Sequence, residues 1–175
     1  MQSWVVEVDG LIVVVDTGVG NDRDRPHMPP PLDHLSTDFL TAFTAAGVDP
    51  ADVDIVVNTH LHTDHVGWNT QLVDGRWVPT FPPNARYVMP EADYRFFGPG
   101  GGDGENDGMR TVLADSVLPV TDQIQLWSDD LKLSDSLRLR PAAGHTPGSS
   151  VLWLDAGSPA VFVGDLTHCP IQIRR

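Results

Sequence analysis

The sequence predicts an α+β fold in which helices cover a mixed β-sheet. Apolar runs recur regularly along the 175 residues, and 41% of the residues are hydrophobic, as in a globular chain rather than a disordered one. Segments with strand character alternate with segments of helix character. The Asp-Gly pairs at residues 9–10 and 74–75, each between two strand-like runs, favour tight hairpin turns because both central residues of such turns need positive φ. Hairpins combined with this alternation predict a sheet that contains both antiparallel and parallel strands.

The elements follow in order from local turn and cap signals. The predicted strands are apolar runs bounded by turn residues, at residues 4–8, 11–15, 55–58, 71–78 (a hairpin), 86–89, 124–127, 137–139, 149–154 and 160–163. A first helix is predicted from a cap at Ser36 or Thr37 through Ala46, with Gly47 as its stop. Further helices are predicted at residues 91–97 and 109–117.

Two loops interrupt this pattern. Residues 21–33 contain four prolines and no apolar periodicity, so we predict a surface loop there. Residues 98–108 are rich in glycine and in acidic residues, a composition too flexible for a core. We expect them to form either a mobile lid over a pocket or a surface excursion. Trp68 is expected either to line a pocket wall or to pack as a core aromatic.

Composition narrows the classes of function. The net charge is −13 and Lys132 is the only lysine, which argues against nucleic acid as a partner because phosphate contacts need clustered basic residues. No apolar run reaches the roughly 20 residues that cross a membrane, so we expect no membrane partner. A single cysteine, Cys169, excludes an internal disulfide framework and fits a reducing compartment. We expect Cys169 to be a small buried residue, and the chain, without a leader after Met1, to be cytoplasmic.

The segment His60-Leu61-His62-Thr63-Asp64-His65 predicts a divalent metal site. It places three imidazoles and one carboxylate within six residues, directly after the apolar run 55–57. His60 and His62 are two residues apart, so in an extended segment both leave the same side of the backbone. Asp64 and His65 follow where the chain turns and can face a second ion. Nitrogen with carboxylate ligands suits zinc first, then manganese, iron or cobalt; the alternative is a polar strand-to-helix turn.

This motif and three further segments resemble those of metallo-beta-lactamase-fold hydrolases. The early strand 12–18 ends in Asp-Thr-Gly, residues 144–149 read Gly-His-Thr-Pro-Gly-Ser, and strand 161–165 ends in Gly-Asp. The four segments occur in the family's order. The neighbourhoods of residues 68–70 and 79–81 resemble a lactonase-like and organophosphate-hydrolase-like branch more than the glyoxalase branch.

The resemblance implies a fold and a set of metal ligands. The fold would be a four-layer αβ/βα sandwich, as one domain over residues 1–175 that is incomplete: it would lack N-terminal strands and a C-terminal segment with a final metal-binding histidine. His60, His62 and His145 would bind a first zinc ion, Asp64 and His65 a second, and Asp165 would bridge the two. His168, three residues after Asp165, is disfavoured as a replacement ligand because the turn would have to curl back on the ions.

These expectations combine into a function. The resemblance implies a binuclear zinc hydrolase in which a hydroxide shared by the ions attacks the ester, lactone or phosphotriester bond of a small substrate. Asp64 is the expected catalytic residue, orienting the nucleophile or passing its proton to the leaving group. Two alternatives stay open. One is a catalytically impaired fragment or a metal-binding or interaction domain of the same fold. The other is a redox di-iron protein, which would carry a carboxylate where this chain has His62.

Overall fold

Two β-sheets pack face to face in the computed structural model of the chain, which describes residues 2–100 and 102–173. The strands, in chain order, are β1 Trp4–Val8, β2 Leu11–Val15, β3 Ile55–Val57, β4 Thr70–Val73, β5 Arg76–Pro79, β6 Arg86–Pro90, β7 Ile124–Trp127, β8 Leu131–Lys132, β9 Leu137–Pro141, β10 Ser150–Leu154 and β11 Ala160–Phe162. The α-helices are α1 Phe39–Ala45, α2 Thr63–Val66, α3 Glu91–Phe97 and α4 Asp107–Val112, and α4 continues as a π-helical turn, Leu113–Val117, and a 3-10 helix, Leu118–Gln123.

The first sheet is mixed and the second is antiparallel. The first has the strand order β1-β2-β3-β6-β7, in which β1 pairs antiparallel with β2 and the other neighbours run parallel. The second has the order β11-β10-β9-β8. Strands β4 and β5 form a separate hairpin. The mixed sheet with hairpins, predicted from the sequence, is confirmed.

Two hydrophobic cores lie on opposite faces of the first sheet. Side chains alternate between the faces of a strand, so Val13 and Val15 of β2 enter one core whereas Val14 between them enters the other. The core of Val13 and Val15 is shared with Leu139 and Leu152 of the second sheet. The opposite core contains the helix side chains. Within residues 2–100 and 102–173, helices therefore cover only the outer face of the first sheet. These residues form three layers of the predicted four-layer sandwich: one layer of helices and two sheets.

Most of the predicted elements are present at nearly the predicted bounds. The first hairpin turns at Asp9 and Gly10, whose φ values of 54° and 75° are those of the predicted tight turn. Helix α3 covers residues 91–97 as predicted. The short strand β8 was not expected, and the helix predicted at 109–117 starts earlier, at Asp107, because the Asn106 side chain accepts a hydrogen bond from the Met109 N–H.

The predicted cap of the first helix is wrong. Helix α1 begins at Phe39 after Asp38, which makes no side-chain capping bond. Thr37 instead donates its backbone N–H and its hydroxyl to the Asn21 side chain, at 2.9 Å each. The Asn21 side chain thus connects the preceding loop to residue 37. The Thr37 hydroxyl is therefore engaged with Asn21 and does not cap the helix. Gly47, with φ of 91°, does end the helix as predicted.

The loop of residues 21–33 is not a simple surface loop, because two arginines in it are buried. Arg23 is 0% exposed and Arg25 is 4% exposed. Both pair with the carboxylate of Asp115, and Arg23 also donates to the carbonyl oxygens of Thr70 and Gly67. Buried guanidinium groups are tolerated only when paired and hydrogen-bonded in this way. Two buried arginines therefore attach the proline-rich loop to the rest of the protein, and the turn signals in the sequence did not indicate their burial.

The structure also bears on three smaller expectations, which concern Trp68, Cys169 and membrane-spanning helices. Trp68 is buried and stacks on Phe39 with ring centroids 5.0 Å apart, so it is a core aromatic. Cys169 is exposed, contrary to the buried position expected for it; its N–H and that of His168 donate to the side chain of Gln172 in a short terminal turn. No helix of residues 2–100 and 102–173 is long and apolar enough to cross a membrane.

Candidate active site

The predicted site residues converge at one edge of the two packed sheets. Strand β3 is buried along its whole length and is flanked by β2 and β6 in parallel. The carboxyl ends of parallel strands lie at the same edge of a sheet, so the segment of residues 58–65 emerges beside Asp16, which follows β2. In the second sheet, the loop with His145 precedes β10, and Asp165 follows β11, the antiparallel neighbour of β10. Both sheets thus deliver loops to this edge.

Three histidines form a first cluster. The Nε2 of His60 lies 3.1 Å from Nδ1 of His62, which lies 2.9 Å from Nε2 of His145. Burial, reinforced by the charges of the neighbouring imidazoles, lowers the pKa of His60 to about 2, and burial lowers the pKa of His62. Both rings are therefore neutral, as metal ligation requires. Two nitrogens that each lie about 2.0–2.1 Å from a tetrahedral zinc are about 3.3 Å apart, so the spacing fits that ion.

A second cluster joins His65 to Asp165 and contains an orphaned nitrogen. The Nδ1 of His65 lies 2.9 Å from a carboxylate oxygen of Asp16, close enough for an ion pair, and the buried Nε2 has no hydrogen-bond partner among the described residues. That Nε2 lies 3.4 Å from Asp165 and 3.6 Å from Asp64. Burial opposes protonation of His65, but the hydrogen bond and charge of Asp16, with Asp64 and Asp165, raise its pKa overall. A buried nitrogen without a partner, facing carboxylates, fits a cation between them.

Asp165 lies between the two clusters. Its Oδ1 is 3.4 Å from His65 Nε2 and its Oδ2 is 3.5 Å from His145 Nε2. The residue before it, Gly164, has φ of 50°, and a Cβ at that position would lie 2.5 Å from the Thr59 hydroxyl oxygen. Glycine is therefore needed for the chain to pass close to Thr59 and to present the carboxylate to both clusters. A residue that bridged two ions would have to lie in such a position.

Two residues occupy positions that differ from the expectation. His168 does curl back: its Nε2 lies 3.1 Å from Asp165 Oδ2, and it forms a third group of ligand atoms, all within 4.8 Å of one another, with His145 and Asp165. The 3-10 turn Gly164–Leu166 brings it there. Asp64, in contrast, belongs to none of the close groups of ligand atoms among the described residues. Its carboxylate lies at the mouth of the site, 3.6 Å from His65.

Two buried carboxylates support the histidine loops from behind. Asp16 accepts hydrogen bonds from the N–H and hydroxyl of Thr59, as well as contacting His65. Asp16 thus stabilises the backbone that precedes His60. Asp93, in the first turn of α3, was not singled out from the sequence. An acidic residue in the first helical turn, directly after a strand neighbouring β3, is the signal that could have indicated it.

A cavity of about 420 Å³ lies beside His62 and Asp64. Its wall is largely apolar, with Phe97, Val112 and Met109 facing it, and the His62 and Phe97 rings are 5.5 Å apart. The polar residues around it include three acids and two basic side chains, namely Asp24, Asp64, Asp107, Arg25 and His27. Arg25 is already paired with Asp115. The cavity therefore offers apolar contact next to the clusters under a mainly acidic rim.

Comparisons with known proteins identify the family of this chain. The sequence profile of the metallo-beta-lactamase superfamily matches residues 2–174. Two curated relatives are the N-acyl homoserine lactonase AttM of Azorhizobium caulinodans, 33% identical over 71% of this chain and 45% of that protein, and ribonuclease Z of Mycobacterium avium, 32% identical over 47% of this chain and 23% of that protein.

A solved structure with the same fold is that of AidC, described as a dizinc quorum-quenching lactonase. It superposes with a TM-score of 0.73 at 19% identity and covers 95% of this chain and 56% of that one. The chain thus spans less than half the length of the curated relatives it matches, and a little over half of this structure. The profile match over nearly all of its residues, with the four motifs in order and the sandwich of two sheets, shows that the chain belongs to the metallo-beta-lactamase superfamily.

Proposed function

We propose that this chain carries the metal-binding part of a hydrolase that acts on small uncharged esters, with lactones as the first class to test. The observation that carries the proposal is the convergence of His60, His62 and His145 to about 3 Å between neighbouring nitrogens, with Asp165 joining them to His65. His60, His62 and His145 would hold one ion and His65 the other, and Asp165 would touch both; Asp64, which is 3.6 Å from His65 but outside the close groups of ligand atoms, would complete the second site. Zinc is the expected metal.

The chemistry follows from what these residues can do. Divalent ions in paired sites supply a water of lowered pKa and a Lewis acid for a carbonyl or phosphoryl oxygen. Asp64 lies at the mouth between the cavity and His65. There its carboxylate can accept a hydrogen bond from the attacking water and orient it. The same carboxylate can then carry the proton to the leaving alkoxide. Thr63, held by a 2.6 Å bond from Arg25, fixes the backbone that precedes Asp64.

The cavity indicates the kind of substrate. Its apolar wall favours a hydrocarbon or acyl portion, because burying apolar surface contributes about 25 cal/mol per Å². Asp107 is paired with Arg110, but the exposed Asp24 and the neighbouring Asp64 keep the rim acidic, which disfavours anionic groups. A neutral ester with an apolar tail satisfies both conditions. The similarity to a relative named as an N-acyl homoserine lactonase supports the same class.

Two other candidates are weaker. Hydrolysis of RNA is suggested by the partial match to a ribonuclease Z, but the net charge of −13 and the acidic rim oppose a polyphosphate strand. The second candidate is a metal-binding domain without turnover. It predicts metal binding with no hydrolysis of any ester.

The test combines metal analysis with a substrate panel. Protein purified with zinc should contain about two ions per chain and should hydrolyse a long-chain N-acyl lactone faster than its carboxylate-tailed analogue. Chelation should abolish the hydrolysis, and zinc should restore it. His62→Ala should lose both zinc and activity, whereas Asp135→Ala, which removes an exposed carboxylate paired with Lys132, should retain both. Full zinc content in the His62 variant, or cleavage of RNA but not of lactones, would reject the proposal.

A further inference from the structure

One buried carboxylate joins the two loops that carry the first histidine cluster. Asp93 stands in the first turn of α3 and is 0% exposed. Its Oδ2 accepts a hydrogen bond of 3.0 Å from the Leu61 N–H, which lies between His60 and His62 in the chain. The same oxygen accepts from the hydroxyl of Thr146, next to His145, at 2.9 Å. Its Oδ1 accepts from the Gly148 N–H at 2.6 Å. A single side chain therefore contacts both loops.

The direction of these hydrogen bonds is determined by the chemistry of the donors. A carboxylate only accepts, so the Thr146 hydroxyl must donate to Asp93. The Thr146 oxygen is then free to accept from the hydroxyl of Ser149, 2.8 Å away. That Ser149 oxygen in turn accepts from the backbone N–H of Thr146, at 2.9 Å. Every member has a partner, and the turn that holds His145 is locked onto α3.

The close contact between Asp93 and the loop at Gly148 leaves no space for a side chain at residue 148. A Cβ on Gly148 would lie 2.7 Å from the Asp93 backbone nitrogen and 2.8 Å from its carboxylate, so only glycine allows the loop to approach this closely. Within residues 2–100 and 102–173, no arginine, lysine or histidine forms an ion pair with Asp93. Its charge is satisfied by three neutral donors alone. A charge buried at this cost indicates a role in addition to packing.

We propose that Asp93 is a positioning residue for the first metal site: it sets the separation between the His60–His62 segment and the His145 loop, and thereby the affinity and geometry of the ion. The inference rests on the proposed function, because it presupposes that the three histidines hold a metal. Groups that orient metal ligands from behind typically contribute about 10- to 100-fold to metal affinity. Asp93 acts through backbone N–H groups and a hydroxyl rather than through the histidine rings.

The experiment measures zinc affinity by competition with a chromophoric chelator, and the visible spectrum of the cobalt(II) form. Asp93→Asn keeps the size of the side chain but places an amide N–H₂ against a donor on one of the loops. We expect its zinc affinity to fall about 10- to 100-fold and its cobalt spectrum to change. Glu91→Gln is the matched control, because Glu91 lies on the same helix and, among the residues that the structure describes, forms an ion pair only with Arg95 at the surface. It should leave both readouts at the wild-type value.

Two further variants keep the test decisive if Asp93→Asn does not fold. Thr146→Val removes only the hydroxyl donor and should reduce the affinity for zinc in the same direction. Gly148→Ala keeps every hydrogen-bonding group but pushes the loop away from Asp93, and should do the same. If Asp93 only stabilised the fold, its replacement would lower the melting temperature of the zinc-free protein without changing the cobalt spectrum.

The outcomes separate this inference from the proposed function. If the wild-type chain binds no zinc, the proposed function fails. If the wild-type chain binds zinc and the folded Asp93→Asn variant, or Thr146→Val in its place, binds it equally tightly with the same cobalt spectrum, only the role of Asp93 is overturned. Weakened binding with a changed spectrum supports the proposal.

Discussion

Asp115→Asn should destabilise the protein strongly, because this carboxylate neutralises two buried arginines. Asp115 lies 2.8 Å from Arg25 and 3.1 Å from Arg23, and all three side chains are at most 7% exposed. Burial lowers the pKa of Arg23 to about 10, which still leaves it charged at neutral pH. Removing one partner of a buried pair leaves an uncompensated charge and typically costs about 3–5 kcal/mol.

The lower end of that range is expected here. Arg23 keeps its hydrogen bonds to the carbonyl oxygens of Thr70 and Asp115, and an asparagine oxygen can still accept from one guanidinium. A loss of about 3 kcal/mol is a large part of the roughly 5–15 kcal/mol that stabilises a domain. It corresponds to a melting temperature lower by about 6–12 °C for a chain of this size.

Urea unfolding of the two proteins, followed by circular dichroism, measures this difference. The matched control is Asp130→Asn, which removes the same group from an exposed pair with Arg140, whose atoms are 3.4 Å apart. Exposed pairs contribute about 0–1 kcal/mol, so the control should unfold almost as the wild type does. A loss below about 1 kcal/mol in Asp115→Asn would refute the reasoning, since the carbonyl oxygens alone would then be sufficient for both arginines.

Two further outcomes are expected from other parts of the structure. Burial raises the pKa of Tyr87 above its ordinary value of 10.0; the unfolded chain therefore loses this proton first, and the free energy of unfolding should fall above pH 10 by up to about 1.4 kcal/mol per pH unit. Tyr87→Phe, which also loses the hydrogen bond to the Asn69 carbonyl, should show a smaller fall in urea titrations between pH 9 and 11, and an unchanged slope would contradict this account. Gly164→Ala should lower both stability and zinc content, because its Cβ would meet the Thr59 hydroxyl at 2.5 Å and displace Asp165; a crystal structure or zinc analysis of the variant that matches the wild type would exclude this role for the glycine.

The sequence was informative wherever a local pattern determines the structure. The Asp9-Gly10 turn, the buried run of β3 and the histidine spacing each depend on a few neighbouring residues, and each was predicted. The burial of Arg23 and Arg25 was not predicted, because their partner Asp115 is about ninety residues further along the chain. The proximity of His168 to Asp165 was not predicted either, since it depends on a short 3-10 turn that no strong sequence signal marks.

The buried carboxylates of Asp16 and Asp93 explain how the segment after β3 can hold His60 and His62 in a fixed direction. β3 lies between β2 and β6 in the first sheet. Asp16 follows β2 and holds the N–H of Thr59, while Asp93 follows β6 and holds the N–H of Leu61. These two backbone groups alternate with His60 and His62.

The backbone of this segment is therefore held on both sides by acids that follow the two neighbouring strands in the chain. His60 and His62 stay free to turn their rings toward His145, because the groups between them carry the hydrogen bonds that fix the chain. A shift of one residue in this segment would place the histidines where Thr59 and Leu61 are held. The spacing of the motif is thus matched to the sheet that surrounds it, as well as to the metal it would bind.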